Sequence, residues 1–222
     1  MTHLIVINLN RRKDRWERTS LHLQENKHHL QFIDSIHRLE AVEHQQPAKG
    51  CMLSHMKAIQ MAKAQHWDKV MVCEDDVRFQ PNVKNTWEQV QSELESHPWS
   101  VVFGASVRFR PKDFQKVSPH TLKLKCPNGI VTGTHCVVYH SRVYDEIIRL
   151  VEHEVMESYP FHLDLLLSSK LNSPTHPIVL TIPFMALITE QDTSDIRLGR
   201  DTSTVYRNIV EAQRMANIYT CQ

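Results

Sequence analysis

The most constraining feature of this chain is a change of character at one point. Val70-Met71-Val72-Cys73 is a short, wholly apolar run, and Glu74-Asp75-Asp76 follows with no residue between. A run this short, bounded so sharply, reads as a buried strand. Three carboxylates at the end of such a strand repel one another and lose hydration, so something must offset that cost. A divalent cation does so, and oxygen donors suit Mg2+ or Mn2+. In extended backbone alternate side chains share a side, so Glu74 and Asp76 are expected to face one ligand and Asp75 the other way. The other reading of the same residues is a solvated acidic turn or a helix cap.

The theme recurs along the chain. His3 to Leu9 and Trp99 to Phe103 read as buried strands, Gln31 to Ile36 as a weaker one, and Val131 to Tyr139 as a strand opening on Thr132, Gly133 and Thr134. Helical spacing marks residues 14–25, the segment from Cys51 through Met52, His55, Met56, Ile59 and Ala62 to His66, and residues 83–94, 142–151, 161–171 and 203–219. Residues 44–50 read as a loop, residues 107–128 as an excursion or hairpin outside the core, and Ile178 to Ile188 as extended and broken by Pro183. Strands alternating with helices predict a Rossmann-like α/β/α sandwich around a mostly parallel sheet, in one domain over residues 1–222. Such sheets bind ligands beyond the carboxyl ends of their strands, which selects Asn8 to Arg15, Glu74 to Asp76 and the residues from Gly104 onward.

Charge narrows the chemistry. Lys and Arg number 26 against 25 Asp and Glu, so nothing global favours nucleic acid, and a metal nuclease fits poorly. Arg11, Arg12, Lys13, Arg15 and Arg18 cluster after the first strand and could hold a diphosphate, or form a solvated helix face with Asp14 and Glu17. No glycine-rich phosphate loop is present. The five cysteines are odd in number and include no Cys-x-x-Cys pair, so neither a structural zinc site nor a disulfide framework is expected. Cys51, Cys73 and Cys136, beside apolar runs, read as small buried hydrophobes, and a reducing cytosol fits best. No apolar stretch is long enough to span a bilayer. The expected setting is therefore cytoplasmic, with peripheral contact at the inner membrane face left open.

Several segments, taken in order, resemble glycosyltransferase family 25, which includes lipopolysaccharide and procollagen galactosyltransferases. They are Val6 to Trp16, Gly50 to His55, Val70 to Phe79 with its three acids, Val131 to Arg142, Phe161 to Asp164, and Gln191 to Ile196. Residues 45–49 depart from the family's usual approach to the second segment, and residues 107–128 match nothing in it.

The resemblance implies a GT-A fold, a UDP-sugar donor, a manganese-type metal and inversion at the sugar carbon. Glu74 and Asp76 then stand for the acidic positions of the Asp-x-Asp motif. Asn8, Leu9, Arg12, Arg15, Ser54, His55 and Asp75 fall where the nucleotide lies. An acceptor hydroxyl attacking the anomeric carbon needs a general base. Asp164, flanked by Leu163 and Leu165, is the first candidate; Glu190 and Asp192 are its rivals. His135, His162 and His176 could complete a metal shell. The expected reaction is transfer of galactose or glucose to a glycan, lipooligosaccharide or hydroxylysine-type acceptor. A sugar nucleotidyltransferase and a non-catalytic carbohydrate-binding protein are the alternatives.

Overall fold

A computed structural model describes residues 1–189 and 202–221. The chain runs β1 (His3–Asn8), α1 (Lys13–Glu25), β2 (Ser35–Glu40), α2 (Pro47–Ala64), β3 (Lys69–Glu74), β4 (Val77–Phe79), α3 (Val83–Leu94), β5 (Val101–Phe103), β6 (Phe114–Ser118), β7 (Thr121–Leu124), β8 (Cys136–His140), α4 (Tyr144–Glu154), α5 (Leu163–Leu166), β9 (Ile178–Thr181), β10 (Ala186–Ile188) and α6 (Ser203–Cys221). Eight strands form one sheet in the order β2-β1-β3-β8-β5-β9-β7-β6, and β10 pairs with β4 in a separate ribbon. β1 is parallel to β2 and β3, and β5 to β9, while β8 is antiparallel to β3 and β5, and β7 to β9 and β6. Six strands therefore share one direction and β8 and β7 oppose it, so the sheet of this α/β fold is mostly parallel.

Period-two alternation assigns the two sides of the sheet. Ile5, Ile7, Val70 and Val72 pack with Met52, Ile59 and Ala62 of α2, Ile147 and Val151 of α4, and Ile209 of α6. Leu4, Val6, Met71 and Cys73 pack on the other side with Leu23 of α1 and Val83, Trp87 and Val90 of α3. Each strand between helical layers is buried on both faces, which is why its sequence is apolar without a break.

The elements depart from the sequence reading in four places. β2 lies at Ser35–Glu40 rather than at residues 31–36. Phe32 and Ile33 are apolar because they pack beneath the turn before it, and β2 itself is an edge strand with alternating exposure. α2 begins at Pro47, four residues before Cys51, since proline at a first helical turn is already in helical φ and lacks only an N–H that would go unpaired there. Residues 107–128 are not an excursion outside the core. Their hairpin, β6 and β7, completes the sheet and fully buries Phe114, Leu122 and Leu124. The strand expected over residues 131–139 is confined to β8, and residues 132–135 precede it as irregular backbone that lines a cavity.

Candidate active site

β3 ends at Glu74, and the turn at Asp75 and Asp76 separates the three carboxylates. Glu74 lies on the side of Val70 and Val72, against α2, where it meets Cys51 and His55. Asp75 lies on the α1 side. There Arg15 Nη1 donates to its Oδ1 at 2.8 Å and Asn8 Nδ2 donates to its Oδ2 at 2.6 Å. The Thr19 hydroxyl donates to the Asp75 carbonyl, and Arg38 Nε donates to Asn8 Oδ1 at 3.0 Å. The Arg15 and Asp75 side chains are only 7% and 8% exposed, so each charge depends on the other.

Glu74 is held differently. The Thr134 hydroxyl donates to Glu74 Oε1 at 2.9 Å. Burial pushes the Glu74 carboxyl up to about 8, and the neighbouring Asp76 charge pushes the same way. Two neighbouring carboxyl groups at a cavity wall offer the hard oxygen donors a divalent cation takes, so the residues fit such an ion. The Asp76 backbone is pinned from the other side, because Thr189 N–H donates to its carbonyl at 2.8 Å across the β4–β10 ribbon.

Two cavities meet at this point. The smaller, of about 240 Å³, is lined by Ile7 and Leu9 at the end of β1, by Val42 and Pro47, and by Ser54 and His55 of α2. The larger, of about 610 Å³, is lined by residues 132–135, by Arg108 and Arg110, and by His162 and Asp164. Cys51, Glu74 and Asp76 line both.

The Gly50 to His55 segment owes its residue types to this geometry. A Cβ on Gly50 would come within 2.7 Å of the Val42 carbonyl oxygen, so only glycine lets that loop cross α2. Ser54 staples the loop by accepting from Val42 N–H at 2.8 Å while donating to the Gly50 carbonyl at 2.6 Å. On the far side Asp164 sits in the first turn of α5. Its Oδ2 accepts from Gly133 N–H at 2.7 Å and its Oδ1 from Leu165 N–H at 2.8 Å. Gly133 has φ +93°, and a Cβ there would lie 2.8 Å from Val107 Cγ2.

Of the residues assigned to the nucleotide, Leu9, Arg15, Ser54, His55 and Asp75 line the smaller cavity, although Arg15 and Asp75 are engaged with each other. Asn8 lies behind the wall as the link between Asp75 and Arg38, and the Arg12 guanidinium forks onto Asp14 at 3.0 Å to each oxygen. His135 and His162 line the larger cavity; burial lowers His135 to about 4 and keeps it neutral. His176 lines neither cavity and hydrogen-bonds with Ser173. Glu190, Asp192 and the Gln191 to Ile196 segment lie outside the described residues. Sequence reasoning missed Arg108, Thr134 and Gly133 as cavity residues and treated Cys51 as a buried hydrophobe. Only Cys51 carried a usable signal, its spacing of four from His55 on a helix.

This arrangement of sheet, helices and acidic strand end is the GT-A-like α/β fold of glycosyltransferases. A glycosyltransferase involved in the glycosylation of the major capsid of PBCV-1 matches it with a TM-score of 0.52 at 11% identity, over 81% of this chain and 80% of that one. A197 from STIV matches with a TM-score of 0.51 at 13% identity, over 91% of each chain. In sequence, residues 44–129 match the model of glycosyltransferase family 25 (LPS biosynthesis protein), a span that contains Cys51, His55 and all three acids. A "probable inactive glycosyltransferase 25 family member 3" from Bos taurus is 29% identical over 134 residues, covering 50% of this chain. The chain spans 22% of that relative's length.

Proposed function

We propose that this chain is a metal-dependent, inverting glycosyltransferase that moves galactose or glucose from a UDP-sugar to an acceptor hydroxyl. The observation that supports this most is that Glu74 and Asp76 line both cavities. A donor whose diphosphate lies at that junction keeps its nucleoside in the smaller cavity and turns its sugar toward the larger one. Glu74 and Asp76 would hold Mn2+ or Mg2+, which when bound supplies positive charge to the departing UDP.

The rest is done by the chain's own groups. The apolar side chains of Ile7, Leu9 and Pro47 give the smaller cavity a wall for the nucleoside, and the Ser54 staple holds the loop that closes it. Asp164 is the proposed base. Gly133 N–H orients one carboxylate oxygen, and the carboxylate takes the acceptor proton during attack. Glu190, outside the described residues, is the alternative base. The proposed acceptor is a glycan, lipooligosaccharide or hydroxylysine-bearing protein. No helix among the described residues is long and apolar enough to cross a membrane. We place the reaction in the cytoplasm, with peripheral contact at the inner membrane face when the acceptor is lipid-linked.

The test is UDP release over a panel of UDP-sugars, with and without Mn2+. Metal-dependent release with UDP-galactose or UDP-glucose is expected. The name of the bovine relative raises a second reading, a protein of this fold that binds without transfer. Calorimetric binding of UDP and Mn2+ without turnover on any donor would establish that reading instead.

A further inference from the structure

We propose that Cys51, His55 and Glu74 form a second, softer metal site that takes Zn2+. It shares Glu74 with the carboxylate pair and goes beyond the proposed transfer reaction. Residues four apart on a helix lie one above the other, so α2 presents Cys51 and His55 on one face, and β3 delivers Glu74 to it. One ligand atom from each of the three lies within 4.8 Å of the others. Donors around a tetrahedral zinc stand about 3.3–3.8 Å apart, so side-chain rotations of about 1 Å close the set.

The second observation is the state of His55. Its ring is 1% exposed, Nδ1 shares a hydrogen bond of 2.8 Å with the Tyr139 hydroxyl, and buried Nε2 has no hydrogen-bond partner among the described residues. An imidazole oriented through one nitrogen with the other left bare is how metal-bound histidine is held. Thr134 Oγ1, 2.9 Å from Glu74 Oε1 and 3.8 Å from Cys51 Sγ, gives the set a hydroxyl neighbour that holds the Glu74 carboxylate, and a water would complete four-coordination. Because Cys51 and Glu74 line both cavities, an ion can reach the site. A sulfur, a nitrogen and an oxygen suit borderline-soft Zn2+, whereas the oxygens of Glu74 and Asp76 suit Mn2+. The two ions compete for Glu74, so Zn2+ should inhibit Mn2+-supported turnover; this last consequence alone rests on the transferase reading.

The test uses the full chain, reduced and stripped of metal, with Co2+ as a spectroscopic probe. A thiolate-to-cobalt charge-transfer band with tetrahedral visible bands is expected, abolished by one equivalent of Zn2+. Cys51→Ser should remove the charge-transfer band, His55→Asn should weaken Zn2+ binding at least tenfold, and Asp76→Asn should leave both intact. Absence of the band in the unaltered chain, or its survival in Cys51→Ser, overturns the proposal. Should either variant fail to fold, alkylation of the unaltered chain decides: Zn2+ must protect Cys51, and unchanged labelling at Cys51 refutes the site. A cobalt band without turnover on any UDP-sugar would leave the zinc site standing and remove the transferase, and Mn2+-dependent turnover without the band would do the reverse.

Discussion

The two cavities are built differently, and the difference shows how one strand end can serve two tasks. The smaller draws on the end of β1 and on residues 41–55, segments that adjoin buried elements, and its wall is held by the Arg15–Asp75 pair. The larger draws on residues 107–110, 130–135 and 162–165, which belong to no strand of the parallel half of the sheet. It is held by backbone contacts such as Gly133 N–H to Asp164. Charge pairing stiffens one side and backbone geometry the other, and Glu74 and Asp76 are common to both.

The sharpest way to break this comparison is at the shared wall. Asp76→Asn should lower Mn2+-supported UDP release by about a thousandfold or more, the scale of several kcal/mol of lost charge stabilisation, with an unchanged circular dichroism spectrum. Retained turnover would take the metal away from this wall. Asp164→Asn acts on one cavity alone. Transfer should fall by about a hundredfold or more while UDP binding, read by calorimetry, stays the same. If both fall together, Asp164 positions the Gly133 loop and is no base.

Stability should separate the two sides further. Arg15→Ala strands the buried Asp75 charge and should cost about 3–5 kcal/mol in denaturant unfolding. Gly133→Ala forces a Cβ toward Val107 at positive φ, which should cost about 1–3 kcal/mol and raise the acceptor KM while sparing UDP binding.

A further test is pH dependence. The Glu74 carboxyl rises from an ordinary 4.5 to about 8 on folding. With the folded value above the unfolded one, its contribution to stability is complete below about pH 4.5 and is lost as pH climbs toward 8, because the unfolded chain releases the proton first. Glu74→Gln should therefore gain stability relative to the unaltered chain between about pH 5 and 8. A difference that stays flat across that range would mean Glu74 is already compensated.

Much of the frame was readable from residue patterns. The apolar runs at His3 to Leu9 and Val70 to Cys73 mark β1 and β3, and the spacing from Met52 to Ala62 marks most of α2. The hairpin at residues 114–124 was not readable, because its inward Phe114, Leu122 and Leu124 sit among lysines, prolines and polar residues whose outward face dominates the composition. Arg108 and Thr134 were not readable as site residues for a related reason. Each lies in irregular backbone, where no period says which way a side chain points.

The sequence by itself determined that β3 ends in Glu74 with Asp75 and Asp76 directly after it, since a short apolar run marks a buried strand whatever it later pairs with. Only the tertiary structure decided what each then meets. Arg15 reaches Asp75 across 60 residues, Thr134 reaches Glu74 across another 60, and α2 lays Cys51 and His55 over the same carboxylate. Such meetings depend on how distant elements pack against one sheet, and the periodicity of any single segment carries no record of that packing.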